Sequence, residues 1–336
     1  MQEQIAKLVR GESLTEGEAG SAMETIMRGD ATPSQIAGFV IALRVKGETV
    51  DELTGLAKTA RAVATRVSAG DGLLDTCGTG GDGLGTFNIS TLAGIVAAGC
   101  GARVAKHGNR AASSLCGSAD VLEALGVKID LGPAGVARCI QEASIGFLFA
   151  PIYHPSFKYA AVPRRELGVR TVFNVLGPLC NPAGATCQAL GVADAALAPK
   201  LADVLQRLGV RRALVFHASD GMDELTTTGP SRVIEVMDGQ RREYELIPAE
   251  LGLPLASPEA TRGGRPEENA AIARQVLAGA KGPRRDLVLL NGAAALRAAG
   301  LAHEWRDGVG MAAEAIDSGR AGEVLETWVR VSREAA

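Results

Sequence analysis

The chain has 336 residues, 46% of them apolar and 22% charged, with a formal net charge of −3. That balance excludes a mainly disordered chain, and 42 glycines without a Gly-X-Y period exclude collagen. A mildly acidic chain, with a sequence pI of about 5.9, offers no electrostatic case for binding nucleic acid or an anionic membrane.

The N-terminal stretch Met1 to Arg10 alternates charged and apolar residues. It has no apolar core or cleavage site, so neither a signal peptide nor an anchor is expected. Residues 1 to about 68 read as four short helices. Apolar spacing picks out Ile5, Leu8 and Val9, then Ala22, Met23, Ile26 and Met27. Thr32-Pro33 is a cap followed by proline, opening a helix over Gln35 to Lys46. Thr49 and Glu52 have capping-box spacing before a helix from Leu53 to Val67.

At Gly70-Asp71-Gly72 the pattern changes to strands alternating with helices. Strands are expected at Leu73-Asp75, Ala102-Ala105, Gly146-Phe149, Ala189-Val192 and Ala213-His217. Helices are expected at Ser90-Cys100, Ser118-Leu125, Pro133-Ala143 and Ala195-Leu208. Alternation of this kind predicts a mostly parallel sheet covered by helices. Arg232-Met237 and Arg242-Leu246, joined at Asp238-Gly239, read as an antiparallel pair. Pro248 to Pro266 is loop-rich, and helix returns from Glu267. The longest apolar run, 11 residues from Leu92 to Ala102, is well short of a bilayer span. Six cysteines at 77, 100, 116, 139, 180 and 187 contain no CxxC pair. Reduced thiols in a cytoplasm fit this best.

The first strand leads into Asp75-Thr76-Cys77-Gly78-Thr79-Gly80-Gly81-Asp82-Gly83, which contains G-x-G-x-x-G. A dinucleotide site would require a helix opening on the third glycine and an acid about 20 residues later. Neither is present: Gly83 through Ala119, 37 residues, contains no Asp or Glu. The same stretch carries Arg103, Lys106, His107 and Arg110, with Asn88, Ser90 and Thr91 at one helix start and Ser113 and Ser114 before another. Helix N-termini, free backbone N–H groups and fixed cations attract phosphate, so a ligand with several phosphates is expected. Asp220-Gly221-Met222-Asp223-Glu224 follows a later strand. Beside a polyphosphate, Asp223 and Glu224 are candidate Mg²⁺ ligands, and Ser90 could add a hydroxyl.

These motifs, taken together and in order, resemble anthranilate phosphoribosyltransferase. They are Gly78-Thr79-Gly80-Gly81-Asp82, Asn88-Ile89-Ser90-Thr91, Lys106-His107-Gly108-Asn109-Arg110, Gly117-Ser118-Ala119-Asp120 and Asp223-Glu224. His154-Pro155, Arg164-Arg165-Glu166-Leu167-Gly168 and Thr171-Val172-Phe173-Asn174 through Asn181-Pro182 extend the likeness over nearly the whole chain. Leu115-Cys116 and Asn291-Gly292 depart from the expected pattern.

The resemblance implies transfer of a phosphoribosyl group from 5-phosphoribosyl 1-diphosphate to anthranilate, with Mg²⁺, in tryptophan biosynthesis. It implies an α/β fold with a small all-α domain at 1–70, joined by helices from about 156–182, and a large domain at 71–336. A homodimer through the small domains is expected. Carried over by motif, donor contacts would come from Gly78, Gly81, Asp82, Thr86, Asn88, Ile89, Ser90, Thr91, Lys106, His107, Gly108, Asn109, Arg110, Ala111, Ala112, Ser113, Ser114 and Ser118. Gly78, Asn109 and Arg164 would contact anthranilate; Ser90, Asp223 and Glu224 would hold the metal; Lys106 and Arg164 would carry the catalysis. Two other readings share the architecture: a pyrimidine nucleoside phosphorylase, which leaves Asp223-Glu224 unexplained, and a non-catalytic nucleic-acid-binding relative, which the charge disfavours.

Overall fold

The computed structural model describes residues 1–111 and 114–335. The N-terminal lobe consists of α1 (Gln2–Val9), α2 (Glu16–Arg28), α3 (Pro33–Lys46) and α4 (Val50–Ala62). Three of these helices open on the same device. Thr15, Thr32 and Thr49 each accept from the backbone N–H three residues on, and Glu18, Gln35 and Glu52 accept in return from the threonine N–H. Each reciprocal pair satisfies two donors that the helix start would leave bare. α4 therefore begins at Val50, and it ends at Ala62 instead of running on to Val67. The extended residues beyond it donate from Thr65 to the Tyr153 carbonyl and from Val67 to that of Pro182.

From there the chain runs through β1 (Leu74–Gly78), α5 (Ile89–Gly99), β2 (Val104–Gly108), α6 (Ser118–Leu125), α7 (Pro133–Ala143) and β3 (Ile145–Phe149). Three helices follow: α8 (Ala150–Tyr153), α9 (Lys158–Leu167) and α10 (Phe173–Leu179). Then come β4 (Cys187–Gly191), α11 (Ala198–Arg207), β5 (Arg212–Ala218), β6 (Ser231–Met237) and β7 (Gln240–Leu246). α12 (Pro266–Leu277), α13 (Pro283–Ala299), α14 (Trp305–Asp317) and α15 (Arg320–Glu334) close the fold.

The seven strands form one sheet in the order β3-β2-β1-β4-β5-β6-β7. β3 to β5 are mutually parallel, while β6 and β7 add an antiparallel edge. The β6–β7 turn puts Asp238 at φ 48 and Gly239 at φ 88, the left-handed pair that a tight hairpin needs. β2 extends beyond the expected Ala105 to Gly108, so Lys106 and His107 lie in the strand and not in the loop after it.

Two apolar cores flank the sheet. One packs α5, α7, α13 and α15 against one face. The other is continuous from α2, α3 and α4 through Ala160, Phe173 and Leu176 to α11 and to Leu190, Val215 and Ile234 on the opposite face. β1 has β2 on one side and β4 on the other, so successive crossovers diverge there. A crevice outside the carboxyl ends of such a strand pair is where open α/β sheets bind ligands.

Candidate active site

Gly78 ends β1 directly opposite Gly191, which ends β4. The loop after β5 crosses over both. A Cβ on Gly191 would lie 1.7 Å from the Asp223 carbonyl oxygen, and one on Gly78 would lie 2.1 Å from Asp223 Oδ2. Two glycines at the same level thus let Asp223 and Glu224 sit on the strand ends, where any side chain would displace them. The Asn291 side chain, from α13, secures the next residue: it accepts from Leu225 N–H at 2.9 Å and donates to the Leu225 carbonyl at 2.9 Å.

Held this way, Asp223 Oδ2 accepts from Gly80 N–H at 2.6 Å, and Glu224 Oε1 accepts from Ser90 N–H at 3.0 Å. Both carboxyls are held above the usual carboxylate range. Burial is the main cause for each, reinforced by Asp82 acting on Asp223 and by Asp223 acting on Glu224. Asp82 accepts from Leu84 N–H on Oδ1, while its buried Oδ2 has no partner. Among the described residues, no three His, Cys, Asp or Glu side chains converge as a metal cage of their own. Asp220 turns away to Thr226 and Thr228 and serves the local turn.

Lys106 is 2% exposed, and its Nζ reaches between β1 and α5 to the Thr76 carbonyl and to Ser90 Oγ at 3.4 Å. This places a buried cation beside Ser90 and Glu224. The neighbouring His107 donates its backbone N–H to Asp75 Oδ1 at 3.1 Å, and Asn181 donates to Asp75 Oδ2 at 2.8 Å. The His107 ring lies 5.1 Å from that of His154. Burial and the second imidazole push His107 down to about 3, and burial also lowers His154. Both rings are neutral at pH 7, bonded through one nitrogen to the carbonyls of Gly177 and Cys180. Their other nitrogens, His107 Nε2 and His154 Nδ1, are buried without a partner.

The remaining donor-side candidates fall into two groups. Gly81, Thr86 and the start of α5 frame the glycine-rich loop. Thr86 bridges to Arg262, Ile89 N–H is taken by the Phe87 carbonyl, and the Thr91 hydroxyl is buried and unpartnered. Asn88 is tied to Cys116 and Asn269. In the second group, a Cβ on Gly108 would meet Ser118 Oγ at 2.3 Å. Ser118 Oγ donates to the Asn109 carbonyl, and Ser114 Oγ lies 3.5 Å from the Cys116 carbonyl.

Two residues of the second group have partners of their own within the protein. Arg110 binds Asp120 at 2.9 Å and also Glu123, and Ala111 N–H donates to Asp120. The acid just outside the acid-free stretch neutralises its last cation. Ala112 and Ser113 lie outside the described residues.

Arg164 comes from α9, with its guanidinium 5.4 Å from the Phe173 ring centroid. Burial alone lowers its pKa, and it makes no ion pair among the described residues. A half-buried cation without a carboxylate suits an anionic ligand. Arg170, for which the sequence motifs imply no role, rests its guanidinium on Gly81, and Nη2 donates to the Thr79 carbonyl at 3.1 Å. Asp75, Asn181 and Asn291 all stand in motifs of the sequence, but none has a site role assigned there.

Comparison with known proteins bears on the same regions. Residues 2–64 match the helical bundle domain of a glycosyl transferase family, and residues 70–322 match its a/b domain. The chain is 58% identical over 320 residues to anthranilate phosphoribosyltransferase 2 of Streptomyces coelicolor, covering 95% of this chain and 96% of that one. It is similar to the crystal structure of anthranilate phosphoribosyltransferase from Thermus thermophilus, with TM-score 0.93, 47% identity, and coverage of 98% and 99% of the two chains. The Saccharomyces cerevisiae enzyme in complex with PRPP and Mg aligns at TM-score 0.91 and 28% identity, over 99% of this chain and 98% of that one.

Proposed function

The chain belongs to the anthranilate phosphoribosyltransferases, a glycosyl transferase family, and from that premise we propose how its residues carry the reaction. The enzyme transfers the 5-phosphoribosyl group from 5-phosphoribosyl 1-diphosphate to the anthranilate amine, releasing pyrophosphate, in tryptophan biosynthesis. The observation that carries the assignment of roles is the under-compensated carboxylate pair Asp223-Glu224 beside the buried Lys106.

The all-oxygen donor set of Asp223, Glu224 and Ser90 fits Mg²⁺, a hard cation that binds through one or two carboxylates plus substrate phosphate oxygens. Burial raises both acids, with Asp82 acting on Asp223 and Asp223 on Glu224, so their ionised forms are costly in the absence of a cation and such an ion would offset that cost. When bound, Mg²⁺ supplies charge neutralisation for the departing diphosphate. The glycine-rich loop, with Gly78, Gly81 and Asp82, and the start of α5 at Asn88 to Thr91 receive the donor. Lys106 is fixed positive charge aimed where the leaving oxygens gain negative charge. Arg164 orients anthranilate through its carboxylate, acting by position and not by proton transfer. We assign Asn109 to the same acceptor side on its motif. His107 and His154 line it as neutral imidazoles; the aniline nitrogen is already unprotonated at pH 7 and needs no strong base.

The division into a small domain of residues 1–70 with helices from about 156–182, and a large domain of 71–336, belongs to the same proposal. So does a homodimer through the helical lobe, supported by the exposed apolar side chains of Val9 and Val45. Among the described residues, no helix is long and apolar enough to cross a membrane; we place the enzyme in the cytoplasm.

The test is anthranilate fluorescence followed with donor and Mg²⁺, with donor and excess chelator, and with Arg164→Ala. Consumption should require both donor and metal. Arg164→Ala should raise the anthranilate KM about 30-fold, the ~2 kcal/mol of a charge-assisted bond, with the donor KM nearly unchanged. Full activity in chelator overturns the metal assignment, and an unchanged anthranilate KM removes Arg164 from its role.

A further inference from the structure

The glycine-rich loop after β1 is held mostly from the α/β side. Gly80 N–H donates to Asp223 and Gly263 N–H to the Gly85 carbonyl, while Leu84 N–H closes a bond to Asp82 within the loop itself. Gly80, Gly81, Gly83 and Gly85 all adopt positive φ, from 64° to 80°. A run of left-handed glycines has many alternative conformations, so ordering it for a phosphate ligand is costly unless something restrains it.

Arg170 is placed to restrain it from the opposite side. Its segment links α9 to α10, whose Ala160 and Phe173 lie in the core shared with the N-terminal helices. Arg170 lines a crevice of about 160 Å³ together with Arg44, Glu48, Asp194 and the loop residues Thr79 and Gly81. Arg170 Nη2 donates to the Thr79 carbonyl at 3.1 Å, and a Cβ on Gly81 would lie 1.6 Å from Nη1. Only glycine at 81 admits a planar group so close to the backbone. Among the described residues Arg170 makes no ion pair, although Glu48 and Asp194 line the same crevice, so what holds it to the loop is the bond to Thr79 and the contact with Gly81.

We propose that Arg170 is a positioning residue that latches the glycine-rich loop in its phosphate-receiving shape and couples that loop to the α9–α10 segment carrying Arg164. The inference rests on the transferase reading. A planar fork is required: one face covers Gly81 while one edge holds the Thr79 carbonyl. A lysine ammonium keeps the charge but cannot do both.

The test compares wild type, Arg170→Ala and Arg170→Lys in two measurements. Steady-state kinetics gives donor and acceptor KM and kcat. Hydrogen–deuterium exchange of residues 79–86, without donor, reads loop order directly. Both variants should raise the donor KM about tenfold, about 1.4 kcal/mol. They should leave the anthranilate KM within about twofold and speed exchange across the loop. Unchanged exchange in Arg170→Ala overturns the latch. Full recovery of the donor KM by Arg170→Lys also overturns it, since charge alone would then suffice. A wild type without transferase activity would sink the reaction assignment, while the exchange measurement would still decide the latch.

Discussion

Glu52 in the helical lobe and Glu224 at the strand ends are both buried carboxylates, yet they are treated in opposite ways. Glu52 accepts from Leu14 N–H at 2.9 Å on one oxygen, and from Thr49 N–H at 2.8 Å and Lys46 Nζ at 2.9 Å on the other. Its charge is matched by a cation that is itself buried. Glu224 has the Ser90 N–H at 3.0 Å and a second buried acid beside it, while Lys106 bonds the Thr76 carbonyl and Ser90 Oγ. The first arrangement is complete without a ligand and works for the fold. The second is complete only when something positive arrives. Compensation, more than burial, separates a structural acid from a functional one.

Two measurements can break this contrast, and a third extends it from buried acids to a buried base. The largest effect is expected from Glu52→Ala, which strands Lys46 and two backbone donors. Urea unfolding should show a loss of ~3–5 kcal/mol with both substrate KM values unchanged. A KM shift without lost stability would place Glu52 on the functional side. Next, Asp223→Asn combined with Glu224→Gln should lower Mg²⁺-dependent turnover by about 10²–10³-fold. The melting temperature should hold or rise, because the cost of burying the two carboxylates is removed. A falling melting temperature with intact turnover would reverse the contrast.

The third tests a buried base. The folded His107 titrates at about 3, against ~6.5 in an unfolded chain. Below pH 6.5 the unfolded state therefore binds the extra proton, and stability falls as pH falls, down to about pH 3. At pH 5 the loss from this residue is ~2 kcal/mol relative to pH 7, from 1.5 pH units at ~1.4 kcal/mol each. His107→Gln should flatten that slope in unfolding experiments between pH 5 and 7. An equal slope in both proteins assigns the acid sensitivity elsewhere.

Much of the architecture was legible in local chemistry. Thr32 and Thr49 announced two helix starts, and Asp238-Gly239 announced the hairpin. The acid-free stretch pointed to phosphate before any geometry was known. Strand limits were less legible, because Lys106 and His107 are buried polar residues in β2 and break the apolar pattern used to find strands. Other features depend on partners far away in the chain. Gly78 is expected as a substrate contact; the structure also gives it the task of clearing Asp223, which arrives from a distant loop. Arg110 counts among the cations of the acid-free stretch, but the acids just beyond that stretch, Asp120 and Glu123, come to it on one face of α6. Arg170 and Asn291 act through contacts spanning 91 and 66 residues, which no local pattern encodes.

The composition changes sharply at Gly70-Asp71-Gly72, but the second apolar core does not stop there. Leu53, Leu56 and Ala57 of α4 belong to the same buried cluster as Leu201, Leu205 and Val215. A gene cut at residue 70 would therefore divide a hydrophobic interior and leave two sticky halves. Those fragments are suited to recombine with each other when co-expressed, and neither is suited to be grafted alone onto another scaffold.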